Sequence, residues 1–240
     1  MLNPRGLIPL LPGIFRIDLG LVNAWLITGE RPCLVDAGYD RSVPAILAAI
    51  EEAGLSPMDI ADIVVTHHHP DHAGGLAALR EATGARVWMH PDDAALVERG
   101  IGVRELHPAP GAINRLLHRA LIAGGPGTIP PCPVDERVAG GTVPAGGGLE
   151  AIHTPGHSAG HLVFRFAGHG GLLFAGDVAS NIPSLRLSIV YEDLTMGRRT
   201  LGELGRLDFT VACFGHGSPI LHGAAERIRR RWPTPDEDTE

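Results

Sequence analysis

Four histidines and an aspartate fall within six consecutive residues, His67-His68-His69-Pro70-Asp71-His72. Imidazole nitrogens and carboxylate oxygens are ligands for a divalent cation such as zinc, which takes them at about 2.0–2.2 Å. Spacing matters as much as residue type. On an extended chain alternate side chains point the same way, so His67 and His69 can grip one ion while His68 points elsewhere. Asp71 and His72 lie on the turn that follows and can face a second ion. Pro70, whose ring locks φ, sets the chain direction between the two pairs.

Two protein ligands hold an ion weakly, so such a loop needs help from elsewhere in the chain. Three candidates share one local setting, next to glycine at the end of an apolar strand. His157 lies in Thr154-Pro155-Gly156-His157-Ser158, Asp177 closes Leu172-Leu173-Phe174-Ala175-Gly176-Asp177, and His216 closes Val211-Ala212-Cys213-Phe214-Gly215-His216. Glycine lets the backbone turn sharply and approach an ion closely. If these strand ends converge on one edge, His67, His69 and His157 hold a first metal and Asp71, His72 and His216 a second. Asp177 then bridges both through its two carboxylate oxygens. The expected cofactors are two divalent ions, zinc first, with iron or manganese as alternatives.

Other polar residues receive lesser roles. His68 reads as structural, and His153 and His161 as partners that orient His157. Asp36 reads as an acceptor for a ligand histidine. His90, His107, His118, His169 and His222 read as solvated side chains.

The elements that must position these groups follow from periodicity and punctuation. Strands are expected at 14–17, 22–27 and 33–36, then a helix from Ser42 to Ala53 that stops at Gly54. The strand 60–65 runs straight into the histidine loop, with Asp71 as N-cap of a helix from Ala73 to Ala82. A strand at 85–89 and a short helix after Pro91 come next. Between about 104 and 147 proline and glycine are dense, and GGTVPAGGG reads as loop. Inside this stretch Ala112 to Ala123 carries Ile113, Leu116, Leu117 and Leu121 at helical spacing, a candidate lid over a binding site. Strands then resume at 149–153, 162–166, 171–175 and 209–214, with helices at 194–207 and 224–232.

Bulk properties remove several function classes. The chain has 240 residues, 44% of them hydrophobic, and a formal net charge of −7. That charge argues against a nucleic-acid surface, which needs clustered positive charge. Every one of the 20 basic residues is arginine, so lysine Schiff-base and P-loop lysine chemistry are excluded. No apolar run approaches the ~20 residues of a membrane helix. The apolar start, MLNPRGLIPLLPGIF, is broken by proline and reads as the N-terminus of a cytoplasmic protein rather than a signal peptide. Cys33, Cys132 and Cys213 are scattered and form no disulfide framework or cysteine-rich zinc site.

In that order, THHHPDHAGG, TPGHSAGH, FAGD and FGHG, preceded by Val35-Asp36-Ala37-Gly38, resemble the signature of the metallo-β-lactamase superfamily, whose first motif is HxHxDH. The resemblance runs from the Asn23 strand to His216. It implies an α/β fold, a four-layer αβ/βα sandwich with a dinuclear site at the edge of its two sheets. On this reading residues 1–232 form a single domain with a helical insert around 104–147, and 233–240 is an acidic, disordered tail. The implied chemistry is hydrolysis by metal-activated water, with Asp71 as the catalytic group that takes a proton and hands it to the leaving group. Ser158 and Ser180 lack the GxSxG setting of a nucleophile elbow.

Substrate is set by loops rather than ligands. Class B β-lactamases usually carry cysteine where this chain has Asp177; hydroxyacylglutathione hydrolases, lactonases and phosphodiesterases carry aspartate. Glutathione thioesterases add a basic C-terminal region, whereas only Ala224 to Trp232 follows His216 here, and its Arg227, Arg229, Arg230 and Arg231 read as a solvated helix face. Quorum-signal lactonases place a tyrosine soon after the bridging aspartate; this chain has Val178-Ala179-Ser180-Asn181, and Tyr191 is the nearest candidate. The expected substrate is a small ester, thioester or lactone, with a phosphodiester as an alternative. The rival from another class is a persulfide-dioxygenase-like oxidoreductase with a single iron; flavodiiron members are disfavoured because they replace His69 by glutamate. The expected partners are a small-molecule substrate and, as one oligomeric option, a second copy in a homodimer, with neither nucleic acid nor membrane.

Overall fold

Alternate residues of the apolar strands bury in different places, and this period of two builds the layers. The computed structural model describes residues 6–122 and 127–234. Four strands open it as antiparallel neighbours: β1 (Gly6–Leu11), β2 (Ile14–Asp18), β3 (Asn23–Ile27) and β4 (Cys33–Val35). Helix α1 (Val43–Glu52) crosses to β5 (Asp62–Val64), and helices α2 (Pro70–Ala73) and α3 (Leu76–Thr83) cross to β6 (Arg86–Met89). Strands β4, β5 and β6 therefore run parallel. After α4 (Pro91–Val97) come β7 (His107–Pro108), α5 (Ala112–Leu117) and a π-helical turn at His118–Ile122. Strand β8 (Glu136–Arg137) then completes a seven-stranded sheet of order β1-β2-β3-β4-β5-β6-β8.

The second sheet starts with β9 (Gly141–Val143), β10 (Leu149–His153), β11 (Leu162–Phe166) and β12 (Leu172–Gly176). A hairpin of β13 (Ser180–Asn181) and β14 (Leu185–Arg186) follows, and β15 (Val190–Tyr191) pairs with β7. Helix α6 (Leu194–Leu204) leads to β16 (Val211–Phe214), which lies parallel to β12, and α7 (Ala224–Arg231) packs behind it. The five-stranded order is β16-β12-β11-β10-β9.

Three buried clusters fill the spaces between layers. Ala24, Leu26, Leu34 and Ile63 face α1, α3 and α4, meeting Ile46, Ile50, Leu76 and Val97. Their strand neighbours Trp25, Ile27, Cys33 and Val64 face the other sheet, where they meet Leu162, Phe164, Phe174 and Cys213. On the far side Leu173, Ala175, Ala212 and Phe214 meet Leu201, Leu204 and Ile228 of α6 and α7. Because both faces of each central strand are covered, these strands read as unbroken apolar runs. Trp25 and Phe174 bridge the two sheets with ring centroids 6.1 Å apart. The result is the expected four layers, helices outside and sheets inside.

Several local expectations are corrected. Gly141–Val143, inside the stretch read as loop, forms β9, because its backbone pairs with Leu149, Glu150 and Ala151. The helix after the histidine loop begins at Pro70 with His69 at its cap position, so Asp71 lies inside the first turn. Proline is well suited to that first helical position, where no amide donor is needed. The run of Gly74 and Gly75 then separates α2 from α3. Helix α5 ends at Leu117 and passes into the π turn; Ala123, its expected end, lies outside the described residues. Residues 235–240 of the expected tail also lie outside them. No helix among the described residues is long and apolar enough to cross a membrane.

Candidate metal centre

Both sheets release the C-terminal ends of their parallel strands at one edge. Strand β4 runs out into Asp36, β5 into Thr66-His67-His68-His69, β12 into Asp177 and β16 into Gly215-His216. The β10–β11 connection supplies His157. The two sheets are tied here by Asn23, whose side-chain amide donates to the carbonyls of Phe214 (3.0 Å) and Gly217 (2.8 Å).

All seven side chains singled out in the sequence meet at this edge. Their donor atoms form three overlapping groups, each within 4.8 Å: His67–His69–His157, His67–His72–Asp177 and Asp71–His72–His216. His157 Nε2 lies 3.0 Å from His69 Nδ1. Asp177 spans the groups, with Oδ1 3.4 Å from His72 Nε2 and Oδ2 3.1 Å from His216 Nε2 and 3.6 Å from His157 Nε2. Asp71 Oδ2 is 3.2 Å from His216 Nε2. Gly215 makes the crowding possible: a Cβ there would sit 2.3 Å from Asp177 Oδ1 and 2.5 Å from His72 Cε1.

Hydrogen bonds on the outer nitrogens decide which ring atom faces inward. His157 Nδ1–H donates to Val190 O at 2.9 Å, His216 Nδ1–H to Leu21 O at 2.6 Å, and His72 Nδ1–H to Asp36 Oδ2 at 2.8 Å. The Thr66 hydroxyl is committed as a donor to Asp36, so it accepts from His67 Nδ1–H at 3.0 Å. Each of these four rings therefore turns its Nε2 into the cluster. His67 Nε2, His72 Nε2 and Asp177 Oδ1 are buried and have no hydrogen-bond partner. Buried polar atoms of this kind are costly unless something satisfies them. Nitrogen and oxygen donors, converging and orphaned, fit divalent cations.

The electrostatics divide the cluster in two. Burial, reinforced by neighbouring imidazoles, holds His67 and His69 far below the usual histidine range, and burial lowers His157 as well. Burial also opposes charge on His72, but Asp36, Asp177 and Asp71 outweigh it and raise the pKa to about 10. His216 is likewise raised, with Asp177 and Asp71 overcoming burial. Burial works against ionised Asp71 and Asp177, yet the two neighbouring imidazoles keep both carboxyls well below the ordinary range. One corner thus offers three neutral nitrogens, the other a charged carboxylate–imidazole set.

The supporting residues differ in part from expectation. Asp36 does serve a histidine of the cluster, and it also accepts from the Thr66 N–H at 2.7 Å. His161 does not orient His157; its Nε2 accepts from the Asp177 backbone N–H at 3.0 Å. His153 points away, stacking on His90 with centroids 4.1 Å apart and bonding to Ala159 O. His90 is not solvated: it is buried and caps α4, its Nδ1 accepting from Asp92 N–H. His107, His169 and His222 are exposed and His118 half-buried. Tyr191 is fully buried, donating its hydroxyl to Val178 O and accepting from Ser188 N–H, so it is not a substrate contact. Two residues escaped sequence reasoning. Asp93 is fully buried beneath His68. Half-buried Tyr39, under the Arg41 guanidinium at 4.1 Å, has its hydroxyl pKa raised by burial and by nearby Asp71. Neither sits in a recognisable motif.

A helix–sheet–sheet–helix sandwich with clustered histidines and carboxylates at its strand ends defines a class, and comparison with known proteins agrees. The family model described as the metallo-beta-lactamase superfamily matches residues 17–216, and the chain belongs to that superfamily. It is 34% identical over 156 residues to a hydroxyacylglutathione hydrolase of Pseudomonas paraeruginosa, covering 64% of this chain and 45% of that protein. It is 27% identical over 204 residues to the lactamase-like protein aptB of Emericella nidulans, covering 82% and 52%. The chain spans about half the length of the curated relatives it matches. Among solved structures, a metallo-β-lactamase of Cronobacter sakazakii superposes with a TM-score of 0.70 at 28% identity, covering 89% of this chain and 79% of that one. The superfamily fold implies divalent-metal binding, and the clustered donors are consistent with it.

Proposed function

We propose that the protein is a metal-dependent hydrolase of a small ester, thioester or lactone. The observation that carries this reading is the convergence of seven side chains whose inward-facing atoms include buried, unpartnered Nε2 and Oδ1 groups. Under it His67, His69 and His157 hold one divalent ion, Asp71, His72 and His216 a second, and Asp177 reaches both. Zinc suits a set of imidazole nitrogens and carboxylate oxygens with no thiolate among them.

When bound, a pair of divalent ions makes water acidic enough to attack at neutral pH and polarises the carbonyl under attack. The chain's own groups do the rest. Asp36, Val190 O and Leu21 O hold three of the rings, so the donor atoms are aimed before substrate arrives. Asp71, through the carboxylate oxygen not turned to His216, takes up the proton lost by water and passes it to the leaving oxygen or sulfur. No side-chain nucleophile is required: the Ser158 hydroxyl is bonded to Asp93 at 2.6 Å, and the three cysteines are buried.

The acyl substrate class is supported by similarity to a protein named hydroxyacylglutathione hydrolase. Apolar surface beside the cluster supports a substrate with an apolar part: Leu21, whose carbonyl holds His216, is 49% exposed. The test is a hydrolysis screen of thioesters, lactones, phosphodiesters and β-lactams with metal-loaded protein, alongside metal analysis. About two zinc ions per chain and turnover of an acyl substrate are expected; one iron with oxygen uptake would overturn the reading. His69→Ala should lower turnover by roughly a hundredfold or more, about 2.7 kcal/mol of barrier. Undiminished turnover in that variant would show that the cluster is not the active centre.

A further inference from the structure

A carboxylate outside the seven-residue set joins two of the loops that carry it. Asp93 lies in the first turn of α4 and is fully buried. Its Oδ2 accepts from the His68 backbone N–H at 3.1 Å and from the Ser158 hydroxyl at 2.6 Å, and its Oδ1 from the Gly160 N–H at 2.8 Å. His68 stands between His67 and His69, while Ser158 and Gly160 follow His157. A single side chain therefore bridges the loop of two histidines and the loop of the third.

The bridge is tight and well anchored. A Cβ on Gly160 would lie 2.5 Å from Asp93 Oδ1, so only glycine permits this approach. Helix α4 is fixed by Ala94 and Val97 in the helix-side core. The histidine ring between the ligands lies close as well, with His68 Nδ1 3.1 Å from Asp93 Oδ2, though the hydrogen bond to Asp93 comes from the His68 backbone. On its other side the His157 loop is held by Glu192, whose Oε2 accepts from Ala159 N–H at 2.8 Å and which Arg104 grips through two nitrogens. Among the described residues, no hydrogen bond of Asp93 reaches Asp71, His72 or His216; His72 has its own carboxylate in Asp36. A buried carboxylate is retained where charge-assisted hydrogen bonds satisfy it, and those bonds fix what they touch.

We propose that Asp93 is a positioning residue that sets the metal affinity of the His67–His69–His157 half of the centre, and not of the Asp71–His72–His216 half. The inference rests on the metal-centre reading above. Zinc affinity is measured by competition with a chromophoric chelator in two backgrounds. In His216→Ala the remaining ion reports the three-histidine half; in His157→Ala it reports the other. Asp93→Asn should weaken zinc binding roughly 10–100-fold in the first background and leave it within about twofold in the second, the range seen when partners of ligating groups are removed. Ser158→Ala, which deletes one arm of the bridge, should shift the first background in the same direction by a smaller factor. Equal weakening in both backgrounds would mean general loosening and would overturn the proposal, as would unchanged affinity in the first. If Asp93→Asn does not fold, Ser158→Ala decides by the same criterion. Wild-type protein that takes up no zinc would remove the metal-centre reading itself, whereas two tightly bound ions with no effect of Asp93→Asn would remove only this inference.

Discussion

Asp36 has a φ of +66°, in the left-handed region that favours glycine. Aspartate enters that region more readily than most residues, and here the turn brings its carboxylate under both Thr66 and His72. The sequence suggested an acceptor at this position, but nothing in VDAG foretold Thr66 as the relay to His67. Gly215 shows a second kind of constraint, crowding rather than dihedral angle. Gly215→Ala would push a methyl into Asp177 Oδ1 and the His72 ring. The expected outcome is a loss of about 1–3 kcal/mol of stability together with loss of bound metal, because overpacked sites relieve strain by moving neighbours. Thermal denaturation and metal content of the purified variant check both, and a variant that binds two ions with an unchanged Tm would contradict the crowding argument.

Elements, rather than single residues, explain why Tyr191 sits where it does. Strand β15 carries Val190, whose carbonyl holds His157, and it is pinned by pairing with β7 and by the Tyr191 hydroxyl. The tyrosine ring packs edge-on to His157 with centroids 5.7 Å apart, and the α6 backbone at Gly197 closes over it. Tyr191→Phe should therefore leave KM unchanged and reduce stability by roughly 1–3 kcal/mol, the cost of leaving a buried amide and carbonyl unpaired. Denaturant titration and steady-state kinetics separate the outcomes; a rise in KM without a change in stability would return Tyr191 to the substrate. Strand and helix order along the chain was legible from apolar periodicity. The ribbons β7, β13, β14 and β15 were not, because two-residue pairings leave no periodic signature and depend on distant partners.

Over the whole molecule, burying several imidazoles makes stability depend on pH in a defined direction. Burial, aided by His157, lowers the pKa of His161 to about 3, while an unfolded histidine titrates near 6.5. Between those values the unfolded chain binds a proton that the folded one refuses. Stability from this residue is thus complete above about pH 6.5 and falls as pH drops toward 3, by at most about 1.4 kcal/mol per pH unit. His72 works in the opposite sense: with its pKa raised to about 10, its contribution is full below about pH 6.5 and is lost as pH rises through 10. Metal-free protein should consequently lose Tm between pH 7 and 4. Added zinc should raise Tm at neutral pH and less so in acid, since the imidazoles must shed protons to bind. Thermal scans of chelator-treated and zinc-loaded protein across that range test this, and a flat acid profile would count against buried neutral histidines.

The sequence alone determined the donor types, their spacing and the layered alternation of strands and helices, because each is a local property written in periods of two and 3.6 residues and in glycine placement. It also singled out all seven residues that meet at the sheet edge. The tertiary structure decided what those residues face: which ring nitrogen is free, that Asp177 spans two groups, that His161 serves Asp177, that His90 is buried and that Asp93 joins two loops. Those facts depend on hydrogen bonds between segments as far apart as Leu21 and His216. Such contacts exist only after the sheets have packed, and no local pattern records them.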